Sequence, residues 1–323
     1  MFTGKYVDFH DQPAFQLSLP GIELVILTTA LRIVHLGSSM ERNLLYFDSK
    51  GKFGRGLWKL IGGHRIWWAS KGADEHDGAY TPDTGPIEIK SLDDDSFVFT
   101  APPDAMQLVK GFIVRPLADN MVEVVNFVEN AGDMLIAGGI WPITCTDPVG
   151  TNAFYASRLN TGNAAWDSST IVHFPSWGGG HETSAEGDAQ FSRTIMNGQW
   201  LHLLRPTGFE AKRAWCSPFG GQAMIMPDSD QTLFKAAMPF DRNLSYPIPG
   251  CNAAMYVGPW SKTGNPGPAM VEMEDIGSEV QLLPGERTCL PVLFSLANQA
   301  IDPDRCDFSL FTRQRFLESL PRA

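Results

Sequence analysis

Apolar and polar residues along this chain alternate in short bursts and do not recur every three or four positions. The runs FVFT at 97–100, FIVRPL at 112–117, MVEVVNFVEN at 121–130 and SEVQLLPG at 278–285 are rich in β-branched and aromatic residues. Each predicts a strand, the third an imperfectly alternating, half-buried one. Turn signals separate such runs: Asp93-Asp94-Asp95, Ala118-Asp119-Asn120, Asn130-Ala131-Gly132 and Asn265-Pro266-Gly267. The longest stretch free of glycine and proline, Asp304 to Leu320, carries Phe308, Phe311, Leu317 and Leu320 and predicts a short C-terminal helix packed on the body. Many short strands at this spacing predict an all-β fold, a large antiparallel sandwich. Strands do not alternate with long helices, which argues against a doubly wound sheet or a (β/α)8 barrel. The best linker candidate, the Gly/Pro-rich piece at 258–268, runs directly into strand-like sequence, so residues 1–323 read as a single domain. Gly150 to Gly180, rich in Asn, Ser, Thr and Gly, predicts functional loops.

Composition sharpens this picture. With 43% apolar and 19% charged residues, the 323-residue chain buries a substantial core. Its 31 glycines and 23 prolines count against long helices. A net charge of −11 without any Lys/Arg run speaks against a nucleic-acid partner. The most apolar early segment, Ile22 to Leu36, is interrupted by Thr28, Thr29, Arg32 and His35 and is too short and polar to span a bilayer. The N-terminal MFTGKYVDFHDQ lacks the pattern of a secretory signal. Five widely spaced cysteines with no C-x-x-C pair predict neither a disulfide framework nor a zinc knuckle. The expectation is a cytoplasmic protein without a membrane partner; its oligomeric state cannot be read from these features.

Several segments carry candidate chemistry. In Gly62-Gly63-His64-Arg65-Ile66-Trp67-Trp68 the glycines permit a bulge or a close backbone approach. An extended chain then sends His64 and Arg65 to opposite faces. Trp67 offers a flat apolar surface of the kind that stacks on sugars; the competing reading is a satisfied core histidine beside a structural arginine. Tyr80-Thr81-Pro82-Asp83 places Asp83 at the apex of a rigid turn, where an Asx-turn is the simpler explanation. The loop from His173 to Glu182 holds His173 and His181 around three glycines, but no metal-ligand spacing and no phosphate-binding fingerprint. No metal or cofactor is called for. Val271-Glu272-Met273-Glu274-Asp275, if extended, puts Glu272 and Glu274 on one face. Adjacent carboxylates raise each other's pKa, as a general base near neutrality requires; a solvated edge strand is the alternative. Lys235, Tyr246 and Asn252 could bind hydroxyl or carboxylate groups, and Lys235 could equally face solvent. There is no G-x-S-x-G elbow to support a serine nucleophile.

These segments together resemble a bacterial family of uncharacterised function with a "GGHRLW … PD" signature, placed in the galactose-mutarotase-like (aldose 1-epimerase-like) supersandwich superfamily. The resemblance rests on Gly62-Gly63-His64-Arg65-Ile66-Trp67 followed by Pro82-Asp83, and on Ala30-Leu31-Arg32-Ile33, Leu233-Phe234-Lys235, Tyr246-Pro247 and Gly250-Cys251-Asn252. It continues through Val271-Glu272-Met273-Glu274 into Leu282-Leu283-Pro284-Gly285-Glu286 and spans about residues 20–296. The chain departs from the family where Ala69-Ser70-Lys71 follows Trp68 and where Ile248-Pro249 follows Pro247.

The resemblance implies a large antiparallel supersandwich with a carbohydrate site on a concave sheet face. A small-molecule carbohydrate is thus the expected partner and aldose 1-epimerase-like acid–base catalysis the expected activity. On that basis Glu272 is the base, with Glu274 as its alternative. His64 is the acid, with His173 and His181 behind it. Arg65, Trp67, Asp83, Lys235, Tyr246 and Asn252 contact the sugar. Two other functions compete: β-elimination on a uronate or ketosugar through Tyr80 or Tyr246, and sugar binding without catalysis.

Overall fold

The alternating runs become strands of two large antiparallel sheets stacked face to face. The computed structural model describes residues 2–50, 54–55, 58–69, 85–147, 151–156, 158–159, 168–169, 171–173, 191–196, 199–205, 211–226, 231–258, 270–299, 301–302 and 312–318. The first sheet runs, in spatial order, through Thr3–Asp8, Pro13–Leu19, Ile22–Leu27, Ile33–Gly37, His64–Ala69, Ile136–Thr146, Val271–Asp275, Ala253–Val257, Ala211–Trp215 and Ile171–His173. An eleventh strand, Val280–Leu282, pairs with the start of Ile136–Thr146. The second sheet runs Phe191–Met196, Gln199–Leu204, Thr151–Ala156, Gly221–Met226, Gln231–Ala236, Arg287–Ala297, Met121–Asn130, Leu108–Ala118, Phe97–Thr100 and Glu88–Ser91. The expected C-terminal helix is the six-residue Arg313–Glu318. Among the described residues no helix is long and apolar enough to cross a membrane.

Alternate positions of both sheets meet in one core. Leu17, Leu24, Ile66, Trp68, Met255 and Met273 of the first sheet face Phe112, Val124, Phe154, Val292 and Phe294 of the second. The outward faces are covered too. Leu60, Trp67, Trp141, Tyr246, Tyr256 and Ile276 form a second apolar cluster outside the first sheet, and Tyr155, Leu201, Phe234 and Leu293 a third outside the second. This double burial explains why Met121–Asn130 alternates so imperfectly: nine of its ten residues are buried.

The paired glycines before His64 do what their sequence suggests. Gly62 and Gly63 have φ of +85° and +70°, and the turn lets Gly63 donate to Tyr46 O and accept from Cys145 N. A Cβ on Gly63 would lie 2.2 Å from Ile33 O, a backbone atom that cannot swing away. Gly285 has a similar φ of +81° but nothing within 4 Å. Gly63→Ala is therefore expected to cost more than about 2 kcal/mol, and Gly285→Ala only about 1 kcal/mol. Urea unfolding of the two variants checks the ordering.

Candidate functional site

Register divides the expected site residues between two faces of the first sheet. Thr144 pairs with His64 on one side and with Met273 on the other, so these three share a face. That face looks inward, since Met273, Ile66 and Trp68 belong to the inter-sheet core. The neighbouring positions look outward: Ile143 lies between Arg65 and Glu274, and Cys145 pairs with Glu272, which pairs in turn with Tyr256. Two of the pattern-based expectations hold. His64 and Arg65 face opposite ways, and Glu272 and Glu274 share a face on a central strand, not an edge.

The outward group is a buried charge cluster. Glu272 lies 3.9 Å from Arg65 and accepts the Cys145 thiol proton at 3.4 Å. Glu274 lies 3.1 Å from Lys212 and accepts the Trp141 indole N–H at 2.7 Å. Lys212 also sits 5.3 Å from the Trp141 ring centroid, where its charge meets the π face. Burial pushes the Glu274 carboxyl above its ordinary value, Lys212 pulls it down, and the like charge of Glu272 adds to the rise. Burial holds the Cys145 thiol well above its ordinary value, with Glu272 reinforcing it, so Cys145 serves as a hydrogen-bond donor and not as a thiolate. Arg65 and Glu272 keep 8% of their side-chain surface exposed, whereas Glu274 keeps none. The Arg65–Glu272 pair is thus the more accessible of the two.

The inward group is structural. His64 is 1% exposed and wedged between Phe112 and Phe294, with ring centroids 5.4 Å away in each case. The Asn126 amide donates to Leu290 O, so its Oδ1 accepts from His64 Nε2 at 2.9 Å. Nδ1 then accepts from the Thr144 hydroxyl at 2.8 Å. Burial, with the nearby Lys235 charge behind it, lowers the His64 pKa to about 3. His64 is therefore neutral at pH 7 and lies on the opposite sheet face from Glu272, so the expected acid and the expected base do not share a face. Lys235 likewise does not face solvent. It crosses from the second sheet to donate to Met273 O at 2.6 Å and to pair with Asp275 at 2.7 Å.

The remaining expectations scatter. Trp67 is 2% exposed and packs on Trp141 at 4.9 Å, so it forms wall and not open platform. Asn252 spends its amide on Ser217 N, Ser217 O and Met238 O. Tyr246 stacks on Phe240, and its hydroxyl accepts from Asp241 N at 3.0 Å. Burial raises the Tyr246 pKa. The lyase reading names Tyr80 or Tyr246 with Arg65 and Asn252; Tyr246 and Asn252 line one cavity, and Arg65 is not among its lining residues. Tyr80, Asp83 and His181 lie outside the described residues. His173 pairs with Arg213 along the backbone, and its side chain is likewise outside them. Among the described residues no group of three His, Cys, Asp or Glu side chains is arranged to hold a metal ion.

Sequence reading missed Lys212, Trp141, Cys145 and Tyr256. The signal present was the Lys212-Arg213 pair set between apolar residues in Ala211–Trp215, all five residues of which are buried.

The architecture is that of a galactose mutarotase-like β-sandwich, and solved structures share it. A candidate aldose 1-epimerase from Escherichia coli K12 superposes with a TM-score of 0.56 at 15% identity, over 88% of this chain and 98% of that one. A galactose mutarotase-like protein from Lactobacillus casei gives 0.53 at 10% identity, over 88% of this chain and all of its own. A TPR-domain protein from Parabacteroides distasonis gives 0.57 at 14% identity over 96% of this chain, which spans about half of that protein's length (51%). No protein-family model and no curated protein matches the sequence.

Proposed function

We infer that the outer face of the first sheet binds a carbohydrate and that Glu272 acts there as a general base on the anomeric hydroxyl. The observation that carries this reading is the cluster itself: two carboxylates and two cations brought from three strands of the first sheet to one face, beside aromatic walls. Glu272, the more accessible acid, removes the hydroxyl proton. The Lys212–Glu274 pair supplies a proton to the ring oxygen; C1–C2 rotation and closure then give the other anomer. Arg65 orients Glu272 and a ring hydroxyl. The mutarotase-like description of the structural neighbours supports the substrate class, although fold by itself does not decide chemistry.

The test is anomeric exchange by NMR on equilibrated aldoses. Wild-type protein should raise exchange above the spontaneous rate, and Glu272→Gln should remove about 10²–10⁴-fold of the enhancement, as expected for a lost general base. A wild-type protein showing only the spontaneous rate would reject the catalytic reading. One observation favours a second reading, sugar binding without turnover: each carboxylate already has a cation of its own, and paired buried charges often serve structure alone. Calorimetric binding of a sugar without any enhancement of exchange would select it.

A further inference from the structure

A cavity of about 230 Å³, lined by none of Arg65, Lys212, Glu272 and Glu274, lies between Ile140 and Ile276 of the first-sheet side, Leu290 of the second sheet, and the segment from Ala237 to Tyr246. That segment is fixed at several points. The Asn252 amide donates to Met238 O, Tyr246 OH accepts from Asp241 N, and Ser245 O accepts from Glu279 N at 2.8 Å. The cavity is therefore largely preformed, as small-molecule sites are. Drug-sized sites occupy roughly 300–1,000 Å³, so this one suits a smaller body.

Its chemistry is one-sided. Ile140, Ile276, Leu290 and the Tyr246 ring give apolar walls, and Met238 and Leu244, each 50% exposed, give an apolar rim. Among the residues lining it there is no lysine, arginine or histidine, but there are two aspartates. Asp275 is engaged by Lys235 and by the Gln222 amide. Asp241 is exposed at the rim, and its Oδ1 is oriented by Asn243 N at 2.8 Å and Asn243 Nδ2 at 2.9 Å. An anion entering here would meet two carboxylates and no cationic side chain in the lining, within the field of a chain of net charge −11.

We propose that this cavity is a second ligand site, distinct from the Arg65–Glu272 cluster, which takes a small primary amine on an apolar, ring-sized body with its ammonium on Asp241. The proposal does not depend on the carbohydrate reading.

Benzylamine, benzyl alcohol and benzoate are matched probes of similar size and different charge. With ¹³C-methyl-labelled methionine, and the Met238 resonance assigned from Met238→Leu, benzylamine should shift that signal saturably. Benzyl alcohol should bind about tenfold more weakly, the fold-change expected on losing one charge-assisted hydrogen bond, and benzoate should not bind. Asp241→Asn should bring the amine down to the affinity of the alcohol. Ser278→Trp, which fills the cavity from its half-buried edge, should abolish the shift while leaving the other methionine signals in place. A Met238 signal unmoved by all three probes overturns the proposal, as does benzoate binding equal to the amine. So does an Asp241→Asn protein that keeps full amine affinity.

Discussion

Lys235→Met is expected to lower stability by about 3–5 kcal/mol at pH 7, because removing one partner of a buried ion pair leaves the other uncompensated. Both members of the pair are buried: Lys235 is 0% and Asp275 2% exposed. The ammonium also satisfies Met273 O, so the variant orphans a backbone carbonyl as well as a carboxylate. Burial already drives Asp275 upward, and Lys235 is the main influence pulling it down. Without Lys235 the carboxyl should take up a proton in the folded state well above its unfolded pKa. Its charge is then a burden only as the pH rises past the unfolded value, so the deficit should shrink from pH 7 towards pH 4. The double variant Lys235→Met/Asp275→Leu should recover most of the loss, since an apolar pair of similar volume replaces two desolvated charges. Urea midpoints of the two single variants and the double across that pH range check each statement. A Lys235→Met protein as stable as wild type would mean that the pair is not closed off from water.

What the chain discloses before folding, and what it conceals, follows from the range of the interactions. The strand at Met121–Asn130 and the shared face of Glu272 and Glu274 depend on a period of two within a few residues, and both could be read locally. The opposition of His64 and Arg65 is of the same kind. Which face is inward is a different matter. It depends on Thr144 standing between His64 and Met273, residues brought together from three distant parts of the chain, and no spacing encodes it. For the same reason Lys235 reads equally well as a ligand or a surface residue, until the second sheet is laid over Asp275. The missed members of the charge cluster, Lys212 and Trp141, sit on strands that meet Glu274 only through pairing across more than fifty residues of sequence. The motif that carries the family resemblance has His64 at its centre, directly after two glycines of positive φ. The geometry those glycines secure is a backbone one: they let Tyr46, Cys145 and Ile33 close around the strand start.

His64 itself should be visible as an acid sensitivity of the fold. Its folded pKa is lowered from 6.5 to about 3, so the unfolded chain binds a proton near pH 6.5 that the folded chain refuses until far lower. Stability owed to neutral His64 is thus complete above about pH 6.5 and drains away as the pH falls towards 3. The slope approaches about 1.4 kcal/mol per pH unit and the total is about 4–5 kcal/mol. Carboxylates add their own losses in acid, so the measurement is a difference between wild type and His64→Gln, which carries the other groups unchanged. At pH 7 the variant should be the weaker by about 1–3 kcal/mol, since its amide replaces the imidazole imperfectly between Thr144 and Asn126. Below pH 6 the gap should close and the order reverse, because glutamine has no proton to gain on unfolding. Urea midpoints that keep a constant separation from pH 7 to pH 4 would place the imidazole in contact with water, and the inward-facing assignment of this strand would fall with it.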